Sequence, residues 1–193
     1  MGFQRLLALC LLTVSSFSAV SQDFQGSVYF TRSNMMEVTK YAYHVKDNMV
    51  RIDEMVEGGD ELVATLLVNL ETEDMIALSH ERNLYMERPH KNNELKAEGV
   101  VVKEGHLKRS IHDMNCTQYR IRNEKENREM MFWVAEGEYS FFPRLLKVLK
   151  RKDPFATYYM AMENIDNKLP LMAEEFTLLR EKKGFMQVDK LER

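Results

Sequence analysis

The sequence is poor in cysteine and lacks a long apolar run. It has 2 cysteines, and only Cys116 lies beyond the amino-terminal segment, so removal of that segment would exclude an intramolecular disulfide. The apolar segment at residues 6–12 is far shorter than the roughly 20 residues that a membrane-spanning helix needs. Internal repeats, low-complexity tracts and interdomain linkers are also lacking. These absences favour one domain held together by its apolar core alone.

A strong excess of charge of either sign is absent as well. The chain has 27 Lys and Arg residues against 30 Asp and Glu residues, which gives a formal net charge of −3. Domains that bind nucleic acid usually carry a clear basic excess gathered on one face. We therefore expect no nucleic-acid partner.

The amino-terminal segment has the layout of a secretory signal peptide. Arg5 precedes the apolar core at residues 6–12, and small residues follow as far as Ser21. Ala19 and Ser21 satisfy the small-x-small rule for cleavage, so the mature chain is expected to begin at residue 22. This layout predicts an exported protein, located in the periplasm or secreted.

A lipid anchor on Cys10 is the alternative for the same segment. Leu9 stands where a small residue normally precedes a lipidated cysteine, so the motif fits poorly. We therefore expect a signal peptide at residues 1–21 and a single β-rich domain at residues 22–193.

Apolar and polar residues alternate at period two through most of the chain, a pattern typical of strands. Segments 39–46 and 49–55 flank Asp47-Asn48, a turn pair that predicts a hairpin. No helical pattern separates the early strands, which favours an antiparallel meander over a parallel sheet. The predicted strands span residues 24–31, 39–46, 49–55, 62–70, 75–80, 83–88, 100–103, 106–111, 117–122, 130–135, 171–178 and 185–191.

Two late helices are predicted, each with one apolar stripe. Segment 139–150 has apolar residues at helical spacing. The second helix begins at Asp153-Pro154, where a capping side chain precedes a proline in the first turn. Segment 62–70 is apolar on both faces, so we expect the helices to cover its second face. The two stripes consist of Phe142, Leu145, Leu146 and Leu149, and of Phe155, Tyr158, Tyr159 and Met162.

Five short motifs occur in a fixed order along most of the chain. They are Phe24-Gln25-Gly26-Ser27-Val28, the hairpin segment from Tyr43 to Ile52, Cys116-Thr117-Gln118-Tyr119, Phe132-Trp133-Val134 and Leu169-Pro170-Leu171. With these motifs the chain resembles an uncharacterised domain family of exported Bacteroidota proteins, which is distantly similar to the LolA-like periplasmic lipoprotein carriers. The resemblance implies a mainly β fold: an incomplete β-barrel of about ten strands, with two helices over one face. It also implies that the concave side binds acyl chains or another apolar ligand.

The two helical stripes are the predicted ligand-binding residues, and we expect no catalytic residue, metal or cofactor. Histidines are scattered without HxH or HExxH spacing, and no CxxC pair is present. No GxSxG turn marks a nucleophilic serine, although an enzyme stays open because a fold alone excludes none. The histidines are His44, His80, His90, His106 and His112.

The 14 methionines allow three interpretations. Flexible thioethers suit an adaptable apolar binding surface, and they also fill ordinary cores. Cu(I) ligation by thioethers is a third interpretation, but no Met-x-x-Met run with nearby histidines supports it. Cys116 and Trp133 both lie in apolar strand contexts, so we expect Cys116 to be buried and Trp133 to be substantially buried.

The first helix also has a basic side that continues beyond its end. Such a helix can lie on an anionic membrane surface, or it can cover a sheet with its basic side in solvent. The basic residues are Arg144, Lys147, Lys150, Arg151 and Lys152.

Together these patterns predict a non-enzymatic envelope protein that binds an apolar ligand, a lipid or a lipidated chain between sheet and helices. The alternative is a structural or protein-interaction module of the envelope whose core is filled. No pattern in the sequence predicts the oligomeric state.

Overall fold

The computed structural model describes residues 23–55, 61–88, 95, 97–150 and 153–193. The predicted signal peptide lies outside the described residues. The described chain forms strands and two short helices in the order β1 (Gly26–Asn34), β2 (Val38–Lys46), β3 (Met49–Met55), β4 (Leu62–Asn69), β5 (Met75–Ser79), β6 (Leu84–Arg88), β7 (Val100–Ile111), β8 (Met114–Asn123), β9 (Arg128–Glu136), α1 (Phe141–Leu149), α2 (Pro154–Tyr159), β10 (Lys168–Phe176) and β11 (Lys182–Glu192).

All strands join one curved, unclosed antiparallel sheet, so the predicted mainly β class with two late helices is confirmed. The sheet has 11 strands in the order β6-β5-β4-β3-β2-β1-β11-β10-β9-β8-β7. Both helices lie in the connection from β9 to β10. Within the described part of the chain, neither helix has the length and apolar character of a membrane-spanning segment.

Period-two alternation directs one set of side chains to the concave face of the sheet. Val28 pairs with Tyr43, Tyr43 with Ile52, and Ile52 with Leu66, and all four side chains are buried. Residues directly opposite in antiparallel strands share a face, so these pairs form one apolar row across four strands. The helices pack against this concave face and complete the core.

Strand β7 corrects the prediction of two strands at residues 100–103 and 106–111. The chain continues as one strand, and its register against β8 shifts between Glu104 and Lys108. A Cβ on Gly105 would lie only 3.1 Å from the carbonyl oxygen of Gln118. Glycine therefore permits a β-bulge here, where the sequence pattern indicated a break.

The second face of β4 is not covered by the helices, which corrects the expectation from the sequence. Leu66 and Val68 face the concave core, whereas the alternate residues Val63 and Leu67 face the convex side. Val63 is 49% exposed and Leu67 is half-buried. A sheet can present single apolar side chains to water on one face, so no second cover is needed.

Trp133 is partly buried and packs against the core, on the outer side of β9. Its neighbours in β9, Phe132 and Val134, point inward and are fully buried. Alternation places Trp133 on the convex face, where the guanidinium carbon of Arg109 lies 6.0 Å from the ring centre.

Gly26 is required where the first and last strands meet. Its φ is +140°, and a Cβ at this position would collide with the carbonyl oxygen of Glu192. We expect Gly26→Ala to lower the free energy of unfolding by at least about 2 kcal/mol, because backbone strain and overpacking add.

Gly99→Ala is the matched control for this prediction. Gly99 also has a positive φ, +71°, but the nearest atoms to an added Cβ are 3.8 Å away on the Lys125 side chain. Only the backbone term then applies, at about 1 kcal/mol. Denaturant unfolding measures both variants, and equal losses would contradict the steric explanation for Gly26.

Candidate functional site

An apolar cleft lies between the concave face of the sheet and the two helices. Strands β1, β2, β9, β10 and β11 form one wall, and α1 and α2 form the other. Aromatic and aliphatic side chains dominate the lining, which consists of Phe30, Arg32, Tyr41, Tyr43, Phe132, Phe142, Leu146, Leu149, Asp153, Phe155, Ala156, Tyr159, Pro170 and Met186.

The cleft brings together five of the eight predicted ligand-binding residues. These residues come from both helices and face the sheet across the cleft. They are Phe142, Leu146, Leu149, Phe155 and Tyr159.

The other three predicted residues are buried but do not line the cleft. Leu145 is completely buried; one residue along the helix turns the side chain by about 100°, so it faces a different direction from Leu146. The hydroxyl of Tyr158 donates to Glu126 Oε2 at 2.9 Å, beside the turn between β8 and β9. Met162 lies beyond the end of α2 and packs in the core. These three residues therefore belong to the core.

The sheet wall of the cleft was missed as a ligand surface by the sequence interpretation, which named only helical residues. Its main members are Phe30, Tyr41, Tyr43, Phe132 and Met186. Each occupies an inward position of its strand, so the period-two pattern contained the signal. What the pattern lacks is the pairing order that brings β1 and β2 opposite the helices.

Aromatic rings contribute half of the residues that line the cleft, and several of them contact each other edge to face. Tyr159 is central, with its ring centre 5.3 Å from that of Phe142 and 5.9 Å from that of Phe132. On the sheet side, the rings of Phe30 and Tyr43 are 4.7 Å apart at 88°. Such geometry is favourable beyond simple burial, so it fixes the shape of the wall.

The hydroxyl of Tyr159 is satisfied within the protein. It donates to the backbone carbonyl oxygen of Lys168 at 2.8 Å. Burial raises the pKa of Tyr159 far above its ordinary value, so the side chain stays neutral. The ring therefore contributes apolar surface to the cleft.

One ion pair stands in the cleft lining. Arg32 Nη2 donates to Asp153 Oδ1 at 2.8 Å, and the guanidinium carbon lies 5.0 Å from the ring centre of Phe155. The same Asp153 oxygen accepts the backbone N–H of Phe155 at 2.9 Å and so caps α2. The pair therefore ties the start of α2 to strand β1.

The cleft is small, with a volume of about 50 Å³. A neighbouring void of about 10 Å³ shares Phe30, Tyr43 and Phe142 with it and extends to Val28 and Val188. Because an apolar cavity of about 150 Å³ holds one benzene molecule, the cleft in this form is smaller than a benzene site. A hydrocarbon chain enters only when the helices move away from the sheet or wall side chains change rotamer.

A polar network crosses the convex face of β1 to β4. Ser27 Oγ lies 2.8 Å from His44 Nδ1, and His44 Nε2 lies 3.4 Å from Asp53 Oδ2. Arg51 binds Asp53 through Nε at 2.9 Å and Nη2 at 2.7 Å, and Thr65 Oγ1 donates to it at 2.6 Å. Asp53 is only 3% exposed, and these hydrogen bonds take the place of water around its carboxylate.

Serine, histidine and aspartate in this network have the composition of a hydrolase triad but not its geometry. In catalytic triads Nε2 faces the serine and Nδ1 faces the aspartate, the reverse of the arrangement at His44. Ser27 and His44 are also direct cross-strand partners. The network fits a hydrogen-bonded ladder that holds neighbouring strands in register.

The remaining predicted chemistry lies apart from the cleft. Cys116 is buried, and its Sγ donates to the carbonyl oxygen of Met114 at 3.5 Å. Burial raises the pKa of this thiol, so it stays protonated. Within the described ranges, no group of three or more His, Cys, Asp or Glu side chains is placed to hold a metal ion. His90 lies outside those ranges.

The basic side of α1 is only partly free. Arg144 Nη2 donates to Asn48 Oδ1 at 3.0 Å and so anchors the helix to the hairpin between β2 and β3. Lys147 is exposed and Lys150 is half-buried, while Arg151 and Lys152 lie outside the described residues. Contact of this helix with an anionic membrane surface stays a prediction.

Fold and cleft together define a mainly antiparallel β protein with an apolar cleft under two helices. No family model matches the chain, and no curated protein matches it. The resemblance to the exported Bacteroidota family and to LolA-like carriers stays a prediction that rests on the motifs of the sequence.

Proposed function

We propose that the protein is a non-enzymatic envelope protein that binds an apolar ligand, lipid or lipidated chain between the sheet and the helices. The observation that carries the proposal is the cleft itself, whose wall consists mainly of aromatic and aliphatic side chains. Ligand sites of this kind are concave, mostly apolar and carry a few polar groups. The role in the envelope rests on the predicted signal peptide.

The small volume of the cleft determines how a ligand would bind. About 50 Å³ leaves room for the end of an apolar group, and in this proposal a longer chain enters through separation of α1 and α2 from the sheet. Both helices are short, of 9 and 6 residues, which limits the contact area that such a movement breaks. Ligand binding and helix displacement are therefore coupled in this proposal.

Filling the cleft tests the proposal. Ala156 is buried in the cleft wall on α2, and Ala156→Leu adds three carbon atoms there. We expect it to weaken binding of the uncharged fluorescent probe N-phenyl-1-naphthylamine by about tenfold or more, since about 1.4 kcal/mol of lost contact changes affinity tenfold. Fluorescence titration of the wild-type protein and the variant measures the effect.

Thr157→Leu is the matched control, because Thr157 is the next residue of the same helix and does not line the cleft. It should leave probe affinity within about twofold of the wild-type value.

Native mass spectrometry of protein from its own compartment should also show a co-purified apolar mass. Absence of probe binding to the wild-type protein would refute the proposal.

The second candidate is a structural or protein-interaction module with a filled core. Two observations favour it: the small cleft, and the exposed residues of edge strand β6. In that strand Leu84, Tyr85 and Met86 are 63%, 73% and 60% exposed. Exposed apolar side chains on an edge strand are typical of surfaces that pair with another chain. A wild-type protein that binds no probe would support this candidate.

A further inference from the structure

The charges around the cleft limit which ligands it accepts. Among the described residues, Arg32 and Asp153 are the only charged side chains in the lining, and they neutralise each other at 2.8 Å. A guanidinium that is already paired with a carboxylate attracts an incoming anion much less strongly than a free guanidinium does, because the carboxylate offsets its charge. The part of the lining formed by described residues therefore has no net charge.

The bases of the surface next to the cleft are paired as well, and the acids there outnumber them because Glu37 also lines this surface. A wide depression shares Arg32 and Phe155 with the cleft and contains two further bases, Arg128 and Lys183. Arg128 contacts Glu126 Oε2 and Glu175 Oε1, both at 2.8 Å, and Lys183 Nζ lies 3.6 Å from Glu181 Oε2. Every base of the depression is thus paired with a carboxylate.

We propose that the cleft selects uncharged apolar groups and rejects anionic amphiphiles such as free fatty acids, with Asp153 as the residue that sets this specificity. The inference rests on the proposed function and narrows its ligand class. A free carboxylate that reaches the Arg32–Asp153 pair must either displace Asp153 from Arg32 or lie beside Asp153 as a second negative charge. Displacement of Asp153 and placement of a second negative charge beside it are both unfavourable. An alcohol or an ester has no charge, so its binding requires neither.

Asp153→Asn separates the charge of this residue from its structural role. Asparagine caps a helix as well as aspartate does, so α2 keeps its first-turn hydrogen bond. Arg32 loses its counter-charge and becomes free to bind a carboxylate. We expect the affinity for dodecanoate to rise at least about tenfold relative to the affinity for dodecanol.

The affinities are measured at pH 8 by displacement of N-phenyl-1-naphthylamine with dodecanoate or dodecanol, each at a concentration at which it forms no aggregates. Circular dichroism checks that each variant is folded. Asp113→Asn is the control for net charge, because Asp113 is an exposed residue of the β7–β8 turn. It should leave both affinities unchanged. Arg32→Met provides an independent variant, in which dodecanoate should bind still more weakly while dodecanol binding persists.

Two results would overturn the selectivity alone: equal binding of dodecanoate and dodecanol by the wild-type protein, or unchanged dodecanoate binding in Asp153→Asn. The same gain in Asp113→Asn would also overturn it, since net charge would then explain the effect. If no variant binds dodecanol or the probe, both this inference and the proposed function fail.

Discussion

Leu145→Ala is expected to lower the free energy of unfolding by about 3–5 kcal/mol without changing the intrinsic affinity for an apolar probe. Leu145 is completely buried and does not line the cleft, so its truncation leaves an internal void. Large-to-small changes in a packed core cost the transfer free energy of the removed atoms plus a term for the void. Denaturant unfolding measures the loss.

Leu146→Ala is the matched comparison on the same helix. Leu146 is 7% exposed and lines the cleft, so its truncation enlarges a space that already exists. We expect a smaller loss of about 2 kcal/mol, together with a change in probe affinity. If Leu145→Ala changed probe affinity as much as Leu146→Ala does, the division into core and cleft residues would be wrong.

Asp53→Ala is expected to lower the free energy of unfolding by about 2–4 kcal/mol. The change removes the acceptor of a paired hydrogen bond from Arg51 and of a bond from Thr65. Hydrogen bonds to a buried charged group contribute about 1.5–3 kcal/mol. Arg51 is about half exposed, so water partly compensates its lost partner.

Asp189→Ala is the control on the same face of the sheet. Asp189 also accepts a hydrogen bond from a threonine, Thr31, at 2.7 Å, but it is exposed. Exposed pairs contribute little, so the expected loss is below about 1 kcal/mol. Comparable losses in the two variants would show that burial does not determine the importance of Asp53.

The same residue predicts how stability depends on pH. Burial alone raises the pKa of Asp53, but hydrogen bonds from Arg51 and Thr65 outweigh it and lower the pKa below its ordinary value of 3.8. The ionised carboxylate therefore stabilises the folded state above pH 3.8, and this contribution disappears as the pH falls through the lowered pKa. The difference in unfolding free energy between the wild-type protein and Asp53→Asn should shrink as the pH falls below about 4. A constant difference would contradict the assignment.

The strands and helices could be predicted because local patterns define them. The turn pair Asp47-Asn48 and the cap at Asp153 lie where the sequence placed them, and Asp47 has the positive φ typical of such turns. Period two also separated inward from outward positions in most strands. The β-bulge at Gly105 was missed, because register is a property of two strands and a single-strand pattern does not contain it.

The candidate site was predicted only in part, because a helical stripe is broader than a cleft wall. Leu145 and Leu146 belong to one stripe, yet only Leu146 lines the cleft. The Arg32–Asp153 pair joins residues 121 positions apart, and neither residue stands out in the sequence as a member of a site. An ion pair between residues so far apart in the sequence depends on the tertiary arrangement of β1 and α2, which the sequence pattern did not reveal.

Strand order also has a consequence for how the chain folds. Every strand pairing except β1 with β11 joins strands that follow each other in the sequence. The meander β1–β6 consists of sequence neighbours, and so does the meander β7–β11, in which the connection with the two helices joins β9 to β10. The seam between the two meanders, in contrast, closes a loop that contains nearly the whole domain. Loop-closure entropy makes such distant contacts slow to form, so docking of the two meanders is the step expected to limit the folding rate. Until it occurs, β1 and β11 are both unpaired edges, and the register shift between Tyr29 and Phe30 then helps to fix how they meet.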